Sequence, residues 1–349
     1  MKVSFVSTSA ISQTLRFQMM RMQADLVQRQ EEATTLRLSD PGKVLGARAG
    51  SSFSMTREIT RLEGLIDSNS LAGNRLKATQ DSLTQLGEIS QGLLSTLTAA
   101  MSGVNDTAIV QAEAKRALES MTSVLNGNFN GEYLFAGIDT DVKPLNDFTD
   151  PASPNKAQFD AQFLAYFGFS QDDPAAAGIT AGQIDDFLDT VIEPSFMGAG
   201  WQTAWSNASD QRVTSRIAPN ETAQTSMTAN GGGMRKLAMT TSVLSEFLAI
   251  SLGDEARQAL YKQMTATVGE AVPEIASAQS EAGVIEKRVK DASERISSQI
   301  DLYKMFVNDL EGVDPFEAST RVNELLTQIE TSYALTARIQ QLSLLRYLP

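Results

Sequence analysis

Carboxylates are the groups in this 349-residue chain best equipped to do chemistry. Asp139 and Asp141, Asp172 and Asp173, and Asp185 and Asp186 stand in close pairs, and paired hard oxygens suit calcium. The EF-hand order, with its central Gly and closing Glu, is missing. These pairs therefore read as a solvated acidic face. Gly231, Gly232 and Gly233 form a run flexible enough to wrap a phosphate. It lacks the preceding strand and the following Lys-Ser/Thr of a phosphate loop, and reads as a turn or hinge. The chain contains no Cys and no His. That removes the thiolate nucleophile, the disulfide framework, the commonest general base and the commonest transition-metal ligand. No catalytic constellation and no cofactor or metal site is expected, and the chain reads as a non-enzyme.

The remaining signal is apolar. Ile11, Leu15, Met19, Met22, Leu26, Ala33 and Leu36 recur in steps of three and four, with Arg29 as the one break. Val322, Leu325, Leu326, Ile329, Tyr333, Ile339, Leu342 and Leu345 repeat the pattern at the other end. A stripe this narrow needs a partner helix, so the two termini are expected to pair antiparallel. Met19, Met20 and Met22 either fill that seam or form an adaptable contact surface, since flexible thioethers repack easily.

Between these ends the pattern predicts a breaker at 38–42, a helix over about 43–102, and a helix over 107–126. The 43–102 stripe takes in Met55, Ile59, Leu62, Ile66, Leu76, Leu83, Leu94, Leu97 and Met101, interrupted by Asn69, Gly73, Gln80, Gly87 and Ser90. Turn residues 126–131 lead into Tyr133-Leu134-Phe135-Ala136, expected as a strand or buried extended run. Residues 139–205 are punctuated by prolines and acids and are expected to form a small inserted domain, with Phe159, Phe163 and Phe167 as its own core. A β-hairpin is expected to turn at Pro219-Asn220. Helices over 235–270 and 274–310 follow, then a breaker at 312–315 and the terminal helix. The resulting domains are 1–40 with 313–349 as a terminal coiled-coil pair, 41–138 with 206–312 as a helical core carrying the hairpin, and 139–205 as an acidic, surface-exposed insert. The fold class is mainly α: a rod of long antiparallel helices with a small β-hairpin region.

Net charge is −13. Residues 139–234 carry 13 acids against 4 bases. So acidic a surface disfavours nucleic acid as a partner. No apolar run is long enough to span a membrane. The start, Met1-Lys2-Val3-Ser4-Phe5, lacks the apolar region of a cleaved signal peptide.

The segment Ile329-Glu330-Thr331-Ser332-Tyr333-Ala334-Leu335-Thr336-Ala337-Arg338-Ile339-Gln340-Gln341-Leu342, with Gly312-Val313-Asp314-Pro315 before it, resembles the C-terminus of bacterial flagellins and flagellin-like axial proteins. Arg37-Leu38-Ser39-Asp40-Pro41 and the long helix after it resemble the N-terminal core of the same family. Asn130-Gly131-Glu132-Tyr133-Leu134-Phe135-Ala136-Gly137 is similar to a segment of the family's hook–filament junction members. The opening Val6-Ser7-Thr8-Ser9-Ala10-Ile11 departs from the Asn-rich opening of flagellins. The resemblance spans roughly 1–138 and 206–349.

The resemblance implies a structural subunit of the bacterial flagellum, exported unfolded by the flagellar type III route with a dedicated chaperone. It implies self-assembly into a ring at the hook–filament junction, contacting flagellin on one side and the hook-side junction protein on the other. The terminal stripes, Ile11, Leu15, Met19, Met22, Leu26, Leu325, Ile329, Tyr333, Ile339, Leu342 and Leu345, are then the expected subunit interface. A filament subunit of flagellin type and a cytoplasmic coiled-coil signalling protein remain as alternatives.

Overall fold

In the computed structural model the backbone is described over residues 8–104 and 106–344, and side chains over 13–104 and 106–338. The chain is mainly helical. In order come α1 (Thr8–Thr35), α2 (Pro41–Leu45), α3 (Ala49–Met101) and α4 (Thr107–Leu125), then the strands β1 (Asn128–Phe129) and β2 (Glu132–Tyr133). Three short helices follow: α5 (Pro154–Phe167), α6 (Ala181–Phe187) and α7 (Glu193–Met197). The hairpin β3 (Thr214–Ala218) and β4 (Glu221–Gln224) leads into α8 (Gly232–Phe247), α9 (Asp254–Glu311) and α10 (Pro315–Leu344). No described helix is long and apolar enough to cross a membrane.

The chain divides into two compact units, residues 1–64 with 296–349, and residues 65–295. In the first, α1 lies along α10, and Leu45, Ile59, Leu62, Ile296, Ile300 and Val307 are buried at the near ends of α2, α3 and α9. Asp40 caps α2 by accepting from the Lys43 N–H at 3.0 Å, with Pro41 in the first turn, as its residue types dictate.

The second unit holds the larger core. Along α3 the buried positions include Asn69, Leu76, Thr79, Leu83, Leu86, Ser90, Leu93, Leu97 and Ala100. The expected stripe matches at 83, 90 and 97 but slips by one between them: Leu93 and Ala100 are buried, whereas Leu94 is half-buried and Met101 is 41% exposed. Periodicity finds the face of a long helix, but the neighbours decide which of two adjacent positions is innermost. The polar members of the stripe have partners. Buried Asn69 donates from Nδ2 to the Ile217 carbonyl at 2.8 Å and to Ser293 Oγ at 3.1 Å, tying the β3–β4 hairpin to α3 and α9. That hairpin turns through Pro219 and Asn220 as expected. Arg288 and Arg295 of α9 hold its Glu221 at 3.2 and 2.7 Å.

Two expectations need correction. The break between the late helices falls at 248–253, not near 271–273, and α9 runs through Pro273. Pro273 is exposed, so its ring and missing N–H disturb only the outer side of a helix whose inner side is packed. The segment 139–205 is not walled off from the rest. Phe159, Phe163 and Phe187 surround Phe247 of α8 at centroid distances of 6.5, 5.6 and 5.9 Å. Phe148 stacks on Trp205 at 5.0 Å. One continuous buried cluster joins these rings to Leu118, Met121 and Leu125 of α4 and to Leu237 and Leu244 of α8.

Candidate subunit interface

The terminal pair is built by a strict three/four alternation. On α10, Ala318, Val322, Leu325, Ile329, Ser332 and Thr336 face inward, with Ala318 and Ile329 buried. On α1, Leu15, Met19, Met22, Leu26, Arg29 and Ala33 are half-buried along the matching face. Arg29, the apparent break in the stripe, donates to buried Glu32 at 2.6 Å. Gln23 Nε2 donates to the Tyr333 hydroxyl at 2.9 Å across 310 residues of sequence. A groove of about 550 Å³ opens along the pair, lined among others by Arg21, Met22, Thr331 and Leu335.

The residues expected at a subunit interface thus separate. Leu15, Met19, Met22, Leu26, Leu325 and Ile329 are brought together inside one chain. Tyr333 lies beside the seam, half exposed. Ile11, Ile339 and Leu342 fall where side chains are not described, and Leu345 lies outside the described residues. Other apolar side chains turn outward, among them Phe17, Met20, Val27, Leu326 and Leu335. All five stand on helices that already carry a full stripe, and this excess of apolar residues over one seam is the signal in the sequence; Leu326, expected within the stripe, turns outward because Leu325 takes the inner position.

Where the pair begins, the two breakers hold each other. Leu38 N–H donates to the Glu311 carbonyl at 2.9 Å, and Val313 N–H donates to the Leu36 carbonyl at 3.1 Å. Arg37 and Gly312 form the bridge between them. Leu36 sits at φ +55°, the left-handed turn that ends α1, with its N–H on the Glu32 carbonyl at 2.8 Å. Buried Glu311 accepts from Ser52 Oγ, and Glu32 accepts from the Ser39 N–H and hydroxyl at 3.3 Å each. Both carboxylates therefore have hydrogen-bond donors, as buried charges require.

In the second unit, the segment after the Asn130-Gly131 turn is bound on several sides. Tyr133 N–H donates to the Thr140 carbonyl at 2.8 Å and Leu134 N–H to the Gly127 carbonyl at 3.0 Å. The Phe135 carbonyl accepts from Ala229 N–H at 2.8 Å, and Gly137 N–H donates to the Met227 carbonyl at 3.1 Å. The ladder is only two residues a side, so the expected strand over 133–136 continues as a buried extended run. Gly137 has φ +69°, and a Cβ there would sit 2.3 Å from the Ser209 carbonyl oxygen. Only glycine fits.

The family model for the bacterial flagellin N-terminal helical region matches residues 6–140, and that for the bacterial flagellin C-terminal helical region matches residues 265–348. The chain belongs to the bacterial flagellin family. Both segments of this flagellin-family chain meet in the α1–α10 pair and in the clasp at its base. Residues 141–264 lie between the two matches. A solved structure described as a flagellar hook-associated protein from Vibrio parahaemolyticus superposes with a TM-score of 0.52 at 12% identity, over 76% of this chain and 97% of that one. At that identity it shows a shared fold. Bacillus cereus FlgL aligns over 73% of this chain and 99% of its own, at 12% identity with a TM-score of 0.42. No curated protein sequence matches this chain. As a member of this family the chain is a structural component of the bacterial flagellum.

Proposed function

We propose that this protein is the subunit that joins hook to filament, the hook-associated protein 3 type within its family. The observation that carries an assembly role is the apolar surface left on the terminal pair. Its inner residues are satisfied within one chain, yet Phe17, Met20, Val27, Leu326 and Leu335 remain 39–64% exposed. Apolar side chains repeated along an exposed helix pair mark an interaction surface. Neighbouring copies in a ring would cover it, and flagellin and the hook-side junction protein would contact the two rims. The role is mechanical: burial of these faces holds subunits together, and no bond is made or broken. Export through the flagellar type III route with a chaperone belongs to the same reading.

Support for the junction over the filament comes from the segment 130–137, which resembles junction members and here threads between residues 127, 140, 209 and 227–229. The test is genetic and microscopic. A deletion strain should carry bare hooks and release flagellin into the medium, and immunogold label should mark one band at the hook end. Label along the whole filament would instead identify a filament subunit. Label confined to the cytoplasm would remove the flagellar placement of the reading altogether.

A further inference from the structure

Three Asn-Gly pairs occur in the sequence: Asn126-Gly127, Asn130-Gly131 and Asn230-Gly231. Glycine after asparagine leaves its backbone nitrogen unshielded, so that nitrogen can attack the side-chain amide. The folded chain treats the three differently. Asn126 is half-buried, its Oδ1 accepting from Leu145 N–H at 2.8 Å and its Nδ2 donating to the Leu145 carbonyl at 3.1 Å. The nitrogen that would attack, Gly127 N, is donated to the Val124 carbonyl at 3.0 Å.

Asn230 is buried and its amide is fully engaged. Oδ1 accepts from Trp201 Nε1 at 2.8 Å and from Ser206 Oγ at 2.6 Å. Nδ2 donates to the Ala208 carbonyl at 2.9 Å and to Asp210 at 2.7 Å. Asn130 is different. It forms the exposed β1–β2 turn with Gly131, at φ +54° and +84°, and no hydrogen bond restrains its side-chain amide among the described residues.

We propose that Asn130-Gly131 is a self-modification site at which the amide is converted to a carboxylate by water. The Gly131 nitrogen, giving its proton to solvent base, bonds to Asn130 Cγ. The Cγ–Nδ2 bond breaks, Nδ2 takes a proton back from solvent and leaves as ammonia, and a five-membered succinimide closes. Water then adds to one of the two imide carbonyls and opens the ring to aspartate or isoaspartate; nothing is oxidised or reduced. The product places a negative charge in a groove that Arg75 and Glu132 also line. There Arg75 already binds the Glu132 carboxylate and the Tyr133 carbonyl at 2.8 Å, and its Nε is buried without a partner. The modification therefore adds a second carboxylate beside the cation that pins the hairpin.

The test is to age the full-length protein in mildly alkaline buffer, folded and in concentrated urea, and to follow each site by peptide mass mapping with isoaspartate labelling. In the folded protein, conversion at 130 should run several-fold faster than at 126 or 230. In urea the three rates should converge, because the protection is structural. Matching rates in the folded protein would overturn the assignment. So would an intact Asn130 in folded protein whose urea-treated sample converts normally.

Discussion

Ile329 and Leu326 stand three residues apart on α10, yet one is 8% exposed and the other 39%. They separate the seam within the chain from the outward face proposed to meet other subunits. Ile329→Asp puts a carboxylate against the α1 face and should cost several kcal/mol. Both terminal helices should then be trimmed by limited proteolysis, while residues 65–295 survive. Leu326→Asp should leave the monomer's helicity and protease pattern unchanged but abolish filament growth beyond the hook. A Leu326→Asp strain that swims normally would remove the outward face from the assembly surface.

Glu246 gives a residue-scale pH signature. Burial raises its pKa above the ordinary 4.5, Lys156 at 3.3 Å pulls the other way, and Asp160 and Lys115 add smaller effects of opposite sign. A raised carboxylate pKa means the folded chain keeps a proton that the unfolded chain has released. Its stabilising contribution is full below 4.5 and is lost as pH rises through the folded value. Glu246→Gln should therefore gain in melting temperature relative to the wild type on going from mildly acidic to neutral buffer. Lys156 is not stranded by the change, since it also pairs with Asp160. An equal difference between the two proteins at both pH values would contradict the assignment.

At the scale of elements, the start of α8 shows how a glycine run read as a turn does two jobs. A Cβ on Gly233 would meet the Ile275 nitrogen at 2.9 Å and the Ala271 carbonyl oxygen at 3.0 Å, both backbone atoms of α9. One on Gly232 would meet only the movable carboxylate of Glu274. Gly233→Ala should cost about 1–3 kcal/mol through overpacking. Gly232→Ala should be near neutral, the gain in helix propensity of up to about 1 kcal/mol offsetting the displaced carboxylate. Urea unfolding midpoints check the pair, and equal losses would mean that the helix approach is looser than these distances imply. Elements were legible wherever local chemistry decides them. Asp40-Pro41 starts a helix, Pro219-Asn220 turns a hairpin, and the three/four steps through Val322, Leu325 and Ile329 define a seam. The break expected at 271–273 is absent because a proline's effect depends on which side of the helix it occupies. Sequence alone does not show that Pro273 faces solvent.

For the whole molecule, the least legible feature was the status of 139–205. Its prolines and acids describe the outside of the segment. Its rings close over Phe247, a residue more than forty positions beyond the segment's end, and no local pattern connects them. Replacing residues 142–203 by a short Gly/Ser bridge should therefore expose Phe247 and the α4–α8 core and unfold residues 65–295. Loss of the sharp thermal transition would show this, and a retained transition would restore the segment as an independent insert. The seam of the α1–α10 pair is legible in its three/four spacing, whereas the outward side chains Phe17, Val27 and Leu335 follow no stripe of their own. The clasp between Leu36–Leu38 and Glu311–Val313 also bears on the order of folding. Its two halves lie far apart in sequence, and α1 has no partner until α10 docks on it. Contacts this distant form late, so residues 65–295 can settle before the terminal pair closes. A chain cut short before Gly312 keeps its larger core but bares the α1 stripe, so the clasp makes the pairing of the first helix depend on the presence of the last.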